Sequence, residues 1–383
     1  MQGSRLSGLL GRVRLRVKPE PYGVGAALLL ALASRVFVVL NAVLGSYFLP
    51  IINPNAWDTG LPVLNLFARW DAGHYFRIAQ YGYDETNVGS FPLLPCLLWL
   101  FSAPLSPFMP RLWSLNIIGF FLSNLFFFIS VLGLYRLTYK VFDGDERVAF
   151  YSALFLSFYP TSVFMSAVYA ESLLMAFALW SFIMLERGRF VVASVLAFLA
   201  GLSRPIGFLA SLPMLLAGLK DRSIKIVVLS ALSASSILVF DVYRYMVMGK
   251  FYAITMPYDL LMSILSGRSP LTTSILSNSI QVNAALKIIS ALLIALALAS
   301  YVNAASLRKG SRYLVYSIII FVVYLFYSSA LGFVRYSITI LTIYWLMGSL
   351  SANNRTLGTI MLCGACMLLG LLTVVYTNWY ELC

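Results

Sequence analysis

The stretch "VGAALLLALASRVFVVLNAVL", Val24–Leu44, decides the fold class of this chain. It carries one charge, Arg35, and matches the length of about 20 residues that a helix needs to cross a hydrocarbon core about 30 Å thick. Comparable runs recur along the 383 residues, which are 61% hydrophobic and only 11% charged, with a mean hydropathy of +0.87. That balance excludes a soluble domain. In lipid a backbone is satisfied only in helices or a closed barrel, and continuous rather than alternating apolar runs select helices. The chain therefore reads as an all-α polytopic membrane protein.

Five basic residues (Arg5, Arg12, Arg14, Arg16 and Lys18) precede the first run. They place the N-terminus in the cytoplasm and mark the first run as a retained anchor, since no small-residue cleavage site accompanies it. Further spans are expected over Leu112–Leu137, Val148–Tyr159, Ser172–Leu185, two shorter pieces flanking the turn Ser203–Pro205, Ile226–Met246, Ala284–Val302, Tyr313–Leu331, Ser337–Leu350 and Leu357–Thr377. This gives about eleven transmembrane helices in a single domain covering residues 1–383. Outside the spans lie a cytoplasmic tail (1–23), a first exterior loop (45–111) and a second long exterior loop (247–282). Within the first loop, "FPLLPCLLWLFSAPL" (Phe91–Leu105) is short and proline-bounded, as suits an interfacial or re-entrant helix. On this map most of the 27 basic residues fall in short cytoplasmic loops, so the net charge of +13 is a topology signal, with no nucleic-acid partner implied. Cys363 and Cys366 form a C-x-x-C inside an apolar run, where helix packing is the better account than metal or redox chemistry. No internal repeat of fixed period stands out.

The same map gathers polar residues on the exterior face. "RWDAGHYFRIAQYGYD" (Arg69–Asp84) holds the chain's one histidine, His74, beside Asp71, Arg69, Trp70 and Arg77. Nothing from Phe67 to Tyr81 breaks a helix and Gly82 is a natural stop, so the spacing predicts a helix over 67–81. In that helix Asp71 stacks with His74 and Tyr75 at i+3 and i+4. Asp71 could then act as general base toward an attacking hydroxyl, oriented by His74. A Trp/Tyr-rich segment beside a span equally suits an interfacial anchor, and the residues alone leave both readings open. Glu171, Arg204 and Arg335 with Tyr336 come from distant segments but fall on the same face; ionisable groups at membrane depth point to function, although arginines at span ends also snorkel. Arg35, inside the first span, is expected to snorkel or to pair locally.

"WDAGHYFRIAQYGY" followed by "FPLLP" resembles the signature of the PIG-V-type GPI mannosyltransferases and their prokaryotic relatives, W-D-x-x-H-[FY]-x-x-I-A-x-x-G-Y and then F-P-L-x-P. Trp70, Asp71, His74, Tyr75, Ile78, Ala79, Gly82 and Tyr83 fall in place. "YPTSVFMSAVYAES", "SRPIG" and "VRY" resemble later segments of the family in the same order, from Trp70 to Tyr336. Tyr159 and Thr161 depart from the family's middle motif, and Ile206 stands where relatives often carry asparagine. The resemblance implies a GT-C-class enzyme, without cofactor or metal, that moves mannose from a dolichyl- or other polyprenyl-phosphate donor to a glycolipid or glycan acceptor. It implies an extracytoplasmic active site in the cell membrane, with Asp71 as the functional acid. Arg69, Trp70, Arg77, Glu171, Arg204, Arg335 and Tyr336 are then the substrate-binding candidates. The compact chain suggests an archaeal or bacterial enzyme, and membrane lipids and a small membrane subunit are further partners to consider. A lipid-linked sugar flippase, a scaffold for other glycosylation enzymes, and a GT-C enzyme using another sugar are the competing readings.

Overall fold

The computed structural model describes residues 22–50, 59–251, 262, 265–266, 284–305, 310–327 and 330–379. Most of the basic tail and most of the second exterior loop expected over 247–282 lie outside the described residues. The described part is helical: α1 (Val24–Phe48), α2 (Pro62–Asn65), α3 (Asp71–Tyr81), α4 (Leu93–Ser102), α5 (Arg111–Val141), α6 (Glu146–Ser157), α7 (Glu171–Glu186) and α8 (Phe190–Ser203). There follow α9 (Leu212–Lys220), α10 (Ile224–Ala234), α11 (Ser236–Met248), α12 (Ala284–Ala305), α13 (Ser311–Tyr327), α14 (Ala330–Tyr336), α15 (Leu341–Asn353) and α16 (Arg355–Thr377).

Among the described residues, four helices are long and apolar enough to cross a membrane: Val24–Phe48, Arg111–Val141, Ile224–Met248 and Arg355–Thr377. A fifth candidate is a broken pair, Gly332–Thr339 and Leu341–Asn353, bent by 69°. Shorter apolar helices lie over some of the other expected spans, among them Phe190–Ser203, Pro205–Lys220 and Ser311–Phe326. These helices mark a membrane protein.

Capping sets the element ends. The Asp145 carboxylate accepts from the N–H groups of Arg147 and Val148 at 2.9 and 3.1 Å and starts α6. Gly82, at φ +85°, ends α3 where the sequence expects it to. The start of α3 differs from expectation: the helix begins at Asp71, not Phe67. Trp70 takes φ +51°, and the backbone before it is committed to other partners. The Phe67 carbonyl accepts from the Val168 N–H at 3.0 Å and from the Tyr376 hydroxyl at 3.4 Å. Arg69 donates to the Thr377 carbonyl at 3.2 Å, and the Trp70 ring packs 5.1 Å from that of Trp379. Tertiary ties to α16 thus override a locally permitted helix.

The centre of the bundle is α5 against α6 and α7, with α8 on α7 and α15 on α6; α1 packs on α16, α6 and α5. Between α6 and α7 the chain runs through the interior, and residues 159–176 are all buried. A buried loop must have its polar backbone satisfied. Arg35 supplies much of that from α1. It donates to the Ser157 and Ser162 carbonyls at 2.9 Å each, to the Ser162 hydroxyl at 2.6 Å and to the Ser166 hydroxyl at 2.9 Å. Its guanidinium also lies 3.9 Å over the Phe127 ring. One contact is local, to the Ser34 hydroxyl at 3.2 Å, but the side chain does not snorkel: it is buried and pins the loop that leads into α7.

Close packing also constrains the turn after α8. A side chain at Gly207 would overlap the carbonyl of Ala200, which is backbone and cannot swing aside. Gly207→Ala is therefore expected to destabilise by about 1–3 kcal/mol, the usual cost of overpacking. A fall in thermal midpoint of the detergent-solubilised protein would register it; an unchanged midpoint would mean that the contact relaxes freely.

Candidate active site

Four charged side chains from four helices meet in one cluster. Asp71 stands in the first turn of α3 and Glu171 in the first turn of α7, where the positive end of the helix dipole favours a carboxylate. Arg204 closes α8, and Arg335 sits in α14 just before the bend into α15. Arg335 bridges the two acids: one guanidinium nitrogen lies 2.9 Å from the Asp71 carboxylate, and its Nε lies 2.5 Å from Glu171 Oε1. Arg204 donates to the same Glu171 oxygen. Two cations and two carboxylates thus alternate as Asp71, Arg335, Glu171, Arg204.

Burial grades the set. Glu171 is 0% exposed and Arg335 2%, whereas the Asp71 side chain is 36% exposed. The inner acid is sealed and the outer one is reachable. Glu171 Oε2 is buried and has no hydrogen-bond partner among the described residues.

Aromatic rings hold the arginines in plane. The Arg335 guanidinium lies 4.2 Å over Tyr169, and that of Arg204 lies 4.7 Å over Tyr336. Tyr336 in turn stacks on Tyr324 at 5.0 Å. The Tyr169 hydroxyl accepts from the Asp71 N–H at 3.3 Å, so one ring both backs Arg335 and fixes the start of α3.

Burial works to raise the pKa of Asp71, but the neighbouring Arg335 and Arg204, the Arg335 hydrogen bond and nearby His74 together outweigh it. Its carboxyl is held below the usual carboxylate range. Burial, with Asp71 and Glu171 close by, pushes the Tyr75 phenol above its ordinary value against the pull of Arg204. At neutral pH Asp71 is thus an acceptor and Tyr75 a protonated hydroxyl.

The structure therefore brings together Asp71, Glu171, Arg204, Arg335 and Tyr336. His74 is exposed one turn along α3. Arg69 is buried on the Thr377 carbonyl, with its guanidinium 5.2 Å over Trp379, and Trp70 packs beside it. Arg77 is exposed and pairs with Asp84 at 2.7 Å. Sequence reasoning missed Tyr169 and Tyr324. Tyr169 was within reach, since it lies two residues before Glu171 in the motif that drew attention to that acid; Tyr324 carried no such signal. Among the described residues no group of three or more His, Cys, Asp or Glu could hold a metal ion.

Residues 40–225 match the model of a family described as Mannosyltransferase (PIG-V). The chain is 34% identical over 142 residues to GPI alpha-1,6-mannosyltransferase 2 of Cricetulus griseus, covering 36% of this chain and 28% of that protein. It is 34% identical over 140 residues to the Homo sapiens protein of the same name, again covering 36% and 28%. The matched segment thus spans less than a third of these relatives. In three dimensions the chain is similar to an archaeal oligosaccharyltransferase from Archaeoglobus fulgidus, solved with an inhibitory peptide and a dolichol-phosphate. The TM-score is 0.55 at 12% identity, over 93% of this chain and 56% of that one. Over residues 40–225, which carry Asp71, Glu171 and Arg204, the chain thus resembles the PIG-V mannosyltransferases, and its helices share the fold of the archaeal oligosaccharyltransferase.

Proposed function

We propose that this chain is a membrane mannosyltransferase that moves mannose from a polyprenyl-phosphate donor, of the dolichyl-phosphate mannose type, to a hydroxyl of a glycolipid or glycan. The observation that carries this reading is the reachable Asp71 carboxylate, fixed by Arg335 in front of a sealed Glu171. The family match supports the sugar, and the charge distribution of the sequence supports about eleven crossings with the site on the extracytoplasmic face.

The reaction is a single displacement with inversion. The acceptor oxygen attacks the anomeric carbon, the carbon–oxygen bond to phosphate breaks, and its electron pair leaves on the polyprenyl phosphate. Asp71 takes the hydroxyl proton. A carboxylate paired with arginine is a weak base toward a free alcohol, so the proton moves late, once bond formation has made the attacking oxygen acidic. Arg204, which keeps an exposed edge with 12% of its side chain accessible, meets the donor phosphate with its planar donors and steadies the charge on the leaving group. Glu171, sealed within the cluster, holds Arg204 and Arg335 in place. Arg335 positions both acids.

Liposomes holding the purified protein and tritiated dolichyl-phosphate mannose test the proposal. Label passing covalently to an acceptor glycolipid supports it; label that crosses the bilayer but stays on the donor would mean a flippase. The pH dependence follows from the depressed pKa of Asp71. The working carboxylate is present above its folded pKa and lost as pH falls through it, so the acid limb of kcat/KM is expected below about pH 4, the ordinary aspartate value. A limb centred well above that value would point to a group other than Asp71.

A further inference from the structure

At the far end of α7 from Glu171 lies a second cluster of charge. Glu171 and Arg187 are sixteen residues apart along this helix, a rise of about 24 Å and close to the thickness of a bilayer core. Between the ends of α5 and α7 is a cavity of about 640 Å³, lined by Tyr135, Arg136, Tyr139, Lys140, Asp143 and Arg187 among others. Arg136 and Lys140 are i and i+4 on α5 and share a face, a repulsive spacing unless an anion lies between or a carboxylate intervenes.

Two of the cations are held in place by neighbours. Lys140 donates to the Glu186 carbonyl at 2.5 Å and lies 3.6 Å from its carboxylate. The Arg136 guanidinium lies 5.4 Å from the Trp180 ring. Arg187 is exposed at the end of α7. Glu186 is drawn off by other groups as well, with the Tyr313 hydroxyl at 2.6 Å and Arg312 at 3.7 Å, so it leaves the cavity's positive charge in excess. Asp143 is the one carboxylate in the lining.

We propose that this cavity binds the headgroup of an anionic phospholipid whose headgroup also carries hydroxyls, such as a glycerol or an inositol. Arg136, Lys140 and Arg187 take the phosphate, and Asp143 accepts from a headgroup hydroxyl. A lipid rather than a free anion fits the depth of the site, one bilayer core from the acid cluster, where basic pockets between helices meet headgroups. The inference is independent of the reaction proposed for the other end of the molecule.

The test uses the full chain in detergent, titrated separately with phosphatidylglycerol, phosphatidic acid, phosphatidylcholine and inorganic phosphate. Thermal midpoint and lipid retained in native mass spectrometry are the readouts. Phosphatidylglycerol is expected to raise the midpoint and remain bound. The variant Arg136→Gln, Lys140→Gln, Arg187→Gln should weaken that binding at least tenfold. A control with the same charge change elsewhere, Arg222→Gln, Lys225→Gln, Arg355→Gln, should stay within twofold of the unmodified chain. Asp143→Asn should erase the preference for phosphatidylglycerol over phosphatidic acid. If the first triple variant does not fold, Arg187→Gln alone, at an exposed position, decides with a threefold loss. Equal weakening in both triple variants, equal binding of phosphatidylcholine, or the same shift with millimolar inorganic phosphate would each overturn the proposal.

Discussion

Asp71→Asn is expected to lower mannosyl transfer by about 10²–10⁴-fold, the span usually lost with a general base, while the protein stays folded. The two halves of that expectation have separate causes. Asparagine keeps the size of the side chain and its place at the start of α3, but it cannot take the acceptor proton. Stability is spared because the Asp71 side chain is 36% exposed, and Arg335 keeps its second carboxylate, Glu171, at 2.5 Å. The loss should fall on kcat, with KM for the donor little changed, because the role proposed for Asp71 is on the hydroxyl and not on the lipid phosphate. Asp71→Glu, one methylene longer on the same fixed helix start, should recover part of the rate. His74→Ala should cost about tenfold or less, since His74 is exposed and its proposed role is only to orient Asp71. Full transfer in both Asp71→Asn and His74→Ala would remove this assignment and favour a scaffold or a carrier.

The parts of this molecule that could be read from sequence are those set by local rules. A backbone in hydrocarbon must close its own hydrogen bonds, so apolar runs such as Val24–Leu44 and Leu357–Thr377 announced helices that the structure contains as α1 and α16. Helical spacing likewise exposed the relation of Asp71 to His74. Local rules failed where distant chain intervenes. The helix start moved from Phe67 to Asp71 because carbonyls before it bond to Val168 and Tyr376, residues about a hundred and three hundred positions away. Arg35 looked like a charge that snorkels or pairs locally; four of its five acceptors lie on the segment 157–166, far beyond any helical period. Arg204 and Arg335 were legible as a shared face but not as partners of Glu171, because nothing in a span-end arginine announces which carboxylate it will meet.

Arg335→Leu is expected to carry the largest stability loss in the molecule, about 3–5 kcal/mol, the range found when one partner of a buried ion pair is removed. Glu171 is fully buried, and without Arg335 it rests on Arg204 alone while Asp71 loses its cation at 2.9 Å. Lysine cannot replace this arginine. Arg335 meets Glu171 through Nε and Asp71 through a terminal nitrogen, two sides of one rigid fork, and a point-charge ammonium cannot span both directions. Arg335→Lys should therefore fold but transfer slowly, with Asp71 loosened and the acid limb of the pH profile moved up toward the ordinary aspartate value. Pairing the leucine with Glu171→Gln removes the stranded charge, and the double variant should regain part of the lost midpoint, with a coupling of about 1–3 kcal/mol for groups in direct contact. Purely additive losses in that cycle would mean that Glu171 draws its stability from Arg204 and the helix dipole, leaving Arg335 to serve Asp71 alone.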